Sequence, residues 1–140
     1  MGRVIDPNSA GKQRTQLIRV AALATRLLLS KPTMEAEARD LAAFISFTLA
    51  AIFSSVEPTV LAWEKRGYWV KADQFRLEWQ WTDNLGIEMA KALQSDDWKA
   101  VKNNAERVQK KLGNVNISVR HRMGTPWIGA WNMLQKKQPG

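Results

Sequence analysis

Leu41-Ala42-Ala43-Phe44-Ile45-Ser46-Phe47-Thr48-Leu49-Ala50-Ala51-Ile52-Phe53 is the stretch that decides the fold. It is apolar on nearly every side of a helix, and a helix of that kind belongs at the centre of others. The uncharged run around it, Leu41 to Val56, has 16 residues, short of the roughly 20 that cross a bilayer. A buried core helix is expected, and no transmembrane segment. Thr33 is the expected N-cap, with Glu35 and Glu37 suited to the positive end of the helix dipole. The helix should run to about Ser54, and Glu57-Pro58 should restart the chain as a third helix ending near Arg66 and Gly67.

On the N-terminal side, Leu17, Val20, Ala21, Ala24, Leu27 and Leu28 recur at steps of three and four, which predicts a first helix from about Gln13 to Ser30, stopped by Pro32. Residues 1–12 carry no apolar period and read as a flexible lead, leaving 13–140 as a single helical domain. On the C-terminal side, Tyr68 to Leu93 predicts a fourth helix with two apolar faces. Tyr68, Ala72, Phe75, Trp79, Gly86, Ala90 and Leu93 form one, and Val70, Leu77, Trp81 and Leu85 the other. Two faces imply two sets of neighbours, one of which can be a second chain.

A fifth helix follows from Trp98, Val101, Ala105, Val108 and Leu112, with Ser95 as cap, Asp96 and Asp97 in the first turn and Gly113 at its close. Lys102, Glu106 and Lys110 should form a charge ladder on its exposed side. Val115, Ile117 and Val119 then alternate with polar residues, the signature of a short strand or an extended strap. Thr125-Pro126 opens a short closing helix that brings Trp127, Ala130, Trp131 and Leu134 to one side. The fold expected is all-α, a compact bundle of about five helices with an extended segment near 115–119 and a short C-terminal helix.

Composition narrows the chemistry. The 140 residues include no cysteine and one histidine, which excludes disulfides, thiolate metal sites and cysteine nucleophiles. His121 sits between Arg120 and Arg122 with no carboxylate nearby in sequence and reads as a surface or phosphate-contacting residue. Gly11-Lys12 matches only the end of a phosphate-binding loop: the glycine four residues earlier is missing, and Gln13 replaces the magnesium-binding hydroxyl. Glu57 and Glu64, seven apart, read as solvated. No nucleophile–base pair or ligand set emerges, so a non-enzymatic protein without cofactor or metal is expected. The first residues lack the apolar core of a secretory signal, which gives a cytoplasmic expectation.

The formal charge is +8, and it sits at the ends: residues 33–93 sum to −3, whereas 1–32 sum to +5 and 114–140 to +4. No acidic residue lies between Arg107 and Gly140. Lys12, Arg19 and Arg26, spaced by seven, define a helical stripe with steps of about 10.5 Å. With Arg14 they form one basic set; Lys110, Lys111, Arg120 and Arg122 form a second. If folding joins the two, the surface attracts polyanions by counterion release. The expected role is binding of nucleic acid, or a nucleoprotein complex, through phosphate contacts without strong sequence readout. The alternative is a protein–protein adaptor or homo-oligomer whose basic surface meets an acidic partner. In that reading Val70, Leu77 and Trp81 supply the interface, together with Trp127 and Trp131 unless these two clamp the last helix onto the bundle.

Overall fold

The computed structural model describes residues 7–137. It contains α1 (Pro7–Leu29), α2 (Ala36–Ser54), α3 (Val56–Lys65), α4 (Trp69–Gln94), α5 (Trp98–Leu112) and α6 (Ala130–Lys137). Among the described residues there is no strand. This is the expected all-α bundle of five helices plus a short C-terminal one.

The central position of α2 follows from its composition: it packs against α1, α3, α4 and α6, and Leu41, Ile45, Leu49 and Ile52 are fully buried. Burial of its hydroxyls is tolerated because each has a partner. Thr48 Oγ1 donates to the Phe44 carbonyl within the same turn, and Ser46 Oγ donates to the Gly86 carbonyl of α4 at 2.8 Å. Gly86 is small for a reason. A Cβ there would lie 3.3 Å from Leu49 Cβ and 3.4 Å from the Ser46 carbonyl oxygen, so glycine lets the two helices cross closely. On the other side, α1 packs against α2 and has Ala21, Ala22 and Ala24 fully buried.

Several boundaries differ from expectation, each for a local reason. Helix α1 begins at Pro7, so residues 7–12 of the expected lead are helical, with Ala10 buried; residues 1–6 lie outside the described residues. Helix α2 starts at Ala36 after Glu35, and Thr33 does not cap it. Ser55 keeps a right-handed helical conformation, so α3 follows almost directly, starting at Val56 rather than Pro58. Pro58 falls in the first turn, where a missing N–H costs nothing. The helical stretch Ala36–Lys65 therefore has 30 residues, and 56% of its most apolar window is buried among the other helices. By length and composition alone this stretch is long enough for a membrane span, a test that a mostly buried core helix also passes.

The turn between α3 and α4 is a Schellman closure. Gly67 takes φ 80° and its N–H donates to the Glu64 carbonyl, while Tyr68 N–H donates to that of Trp63. The α4–α5 corner repeats this with Asp96 at φ 56°: Asp96 N–H donates to Leu93 and Asp97 N–H to Ala92. Asp97 then caps α5, its carboxylate accepting from Ala100 N–H at 3.0 Å, so Asp97 and not Ser95 is the cap.

Two helix ends are closed by charges from elsewhere. Lys102 Nζ donates to the carbonyls of Leu29 and Lys31 beyond the C-terminus of α1, at 2.9 and 3.1 Å, rather than joining an exposed ladder. The Asp40 carboxylate accepts from Gly129 and Trp131 N–H at 3.2 and 3.0 Å, capping α6. Trp127 is 3% exposed and meets Phe44 edge-on, so it clamps the last helix onto the bundle.

Candidate nucleic-acid interface

Residues 115–119 do not form a strand. They belong to a strap that runs from the end of α5 back along α1. Val115 and Ile117 pack on the core, whereas Val119 is exposed. Among the described residues the strap has no strand to pair with, and other groups take part of its backbone. Val115 N–H donates to the Leu112 carbonyl, and its own carbonyl accepts from the Arg26 guanidinium at 2.5 Å. Further on, His121 N–H donates to the Ser118 carbonyl, and His121 Nδ1 accepts from Met123 N–H at 3.3 Å. His121 is thus a half-buried brace of the strap.

This path brings the two ends of the sequence together. Arg19 of α1 and Arg122 of the strap, 103 positions apart, line one groove of about 560 Å³ with Gln13, Gln16, Leu17, Val20 and Met123. No carboxylate lines it. Lys12, seven residues before Arg19 on α1, is exposed, as is Arg120. Among the described residues none of Lys12, Arg19, Arg120 and Arg122 stands within ion-pair distance of an acid.

Other members of the basic sets are placed differently. Arg14 points into the fold: its guanidinium donates to the Ser55 carbonyl at 3.0 Å and to Ser55 Oγ at 3.3 Å. It also lies 5.1 Å from the Phe75 ring centroid and 5.8 Å from that of Trp79. Burial pulls its pKa below the ordinary arginine value, with Glu78 opposing the shift. Arg26 is the strap's tether. Both are structural cations, not free phosphate ligands. Lys111 stands 5.9 Å over the ring of Trp81, and exposed Lys110 shares a shallow depression with Glu106 and Arg107, a mixed-sign surface. Gly11, in the middle of α1's first turns, forms no phosphate loop.

Of the interface set, Val70 and Leu77 are 71% and 75% exposed. Trp81 and Trp131 are half-buried, the latter under the Arg39 guanidinium at 5.8 Å, and Trp127 is core. Glu57 and Glu64 flank Arg76 at 4.0 and 3.6 Å instead of facing solvent alone. No cluster of three or more metal-ligating side chains occurs among the described residues.

Sequence reading missed Asp40, Arg14 and Lys102 as long-range ties. The only local signal was Asp40, the last charge before the apolar run. Comparison of the chain with protein-family models, curated proteins and solved structures finds no match.

Proposed function

We propose that this protein binds nucleic acid through its phosphate backbone, along the groove between α1 and the strap, with Arg19 and Arg122 as the central contacts and Lys12 and Arg120 extending them. One observation carries the reading: two arginines from opposite ends of the chain share an acid-free groove. Unpaired cations on one surface attract a polyanion over several ångströms and release its counterions on contact. Arg26 serves the same end indirectly, since it tethers the strap that carries Arg122. No base-reading element is invoked, and the binding is sequence-tolerant. An adaptor or oligomer role draws on Val70 and Leu77 as the exposed members of the expected interface, with Trp127 buried, and is the weaker reading.

The test is titration of a labelled duplex and a labelled single strand at low and moderate salt. Binding at low salt that weakens steeply with added salt is the expected result. The Arg19→Glu/Arg122→Glu variant should lose at least about tenfold in affinity with its melting temperature unchanged, because both side chains are surface groups. Absence of binding at low salt, or indifference to salt, removes the proposal.

A further inference from the structure

The turn between α3 and α4 presents a second surface, independent of the groove. Tyr68, Trp69 and Val70 are 54%, 60% and 71% exposed, and Leu61, one turn before Lys65 on α3, is about half exposed. Lys65, Arg66 and Lys71 are interleaved with them, all exposed. The one acid within this stretch, Glu64, is engaged by Arg76 at 3.6 Å. The Schellman closure at Gly67 fixes the backbone of the turn, and the exposed Tyr68, Trp69 and Val70 follow directly at the start of α4.

We propose that this tip docks on the surface of an anionic phospholipid bilayer. Large apolar side chains gathered on one exposed turn mark an interaction site. Tryptophan and tyrosine favour the headgroup level, where an apolar ring and a polar N–H or O–H are both accommodated, and flanking lysine and arginine are drawn to acidic headgroups. Leu61 and Val70 have no ring face to stack on a base. An exposed turn that pairs aliphatic with aromatic groups and flanks them with cations suits insertion between lipids better than tracking of a nucleic-acid strand.

The experiment is flotation of the full chain with phosphatidylcholine vesicles, with and without phosphatidylglycerol. The protein should float with the anionic vesicles, weakly with the neutral ones, and its tryptophan emission should shift to the blue on binding. Trp69→Ser/Val70→Ser and Lys65→Glu/Arg66→Glu should each lower partitioning by about tenfold, and the first should also reduce the blue shift. Arg19→Glu/Arg122→Glu should float like the unaltered protein. The proposal is overturned if the unaltered protein ignores anionic vesicles, or if both tip variants bind them undiminished. It is equally overturned if the tip variants lose duplex affinity while keeping vesicle affinity, which assigns the tip to nucleic acid.

Discussion

Around α2, Leu41, Ile45, Leu49, Met89, Val101 and Val108 are sealed from solvent by helices on several sides, whereas at the turn end of the α3–α4 hairpin, residues 56–79, only Val56, Val60 and Ala72 are buried. The hairpin makes up the difference with aromatic and charged contacts. Trp63 meets Phe75 edge-on at 5.0 Å, Phe75 lies 6.3 Å from Trp79, and Arg76 joins Glu57, Glu64 and Asp73. Such partly exposed pairs are individually weak, so the hairpin is the less stable part of the molecule. Burial by neighbours on several sides, rather than apolar content, separates the two regions.

That contrast can be broken by substitution. Leu49→Ala, at the crossing with Gly86, should cost about 2–5 kcal/mol in denaturant unfolding, because a close-packed site collapses poorly around the cavity. Val60→Ala in the hairpin removes less and has more freedom to relax, so a loss of about 1–2 kcal/mol is expected. Asp97→Ala should lower stability by about 1 kcal/mol through the lost α5 cap. Leu77→Ser, on the open side of α4, should stay within about 0.5 kcal/mol of the unaltered protein. Native-state hydrogen exchange sharpens the same comparison: amides of residues 60–75 should open at lower free energy than those of residues 42–52. Equal protection in both regions contradicts the two-region description.

The legible part of the fold was the part governed by local pattern. The apolar run 41–53 and the three- and four-residue spacing of α5 each had one dominant physical meaning, and both helices are there; the alternation at 115–119 allowed a strand or a strap, and the strap formed. Where local chemistry offered several equivalent choices, the outcome was decided at a distance. Ser95, Asp96 and Asp97 can all cap a helix; the Schellman closure of α4 consumes the first two and leaves Asp97. The period-two segment formed no strand because the ladder partner it needs is absent among the described residues, and Arg26, 89 positions earlier, takes its carbonyl instead. The basic stripe was visible as spacing, but which of its members remain free was not. Arg14 is claimed by Ser55, 41 positions on, and by two aromatic rings, contacts that no periodicity encodes.

In the proposed role, the strap joins Arg19 and Arg122 into one phosphate-binding surface. Its most direct test is the salt dependence of duplex affinity for the unaltered protein, Arg19→Ala, Arg122→Ala and the double variant. The slope of log affinity against log salt should flatten by about 0.9 for each arginine that neutralises a phosphate, and by about twice that for both. Slopes that remain unchanged in all three variants contradict the claim.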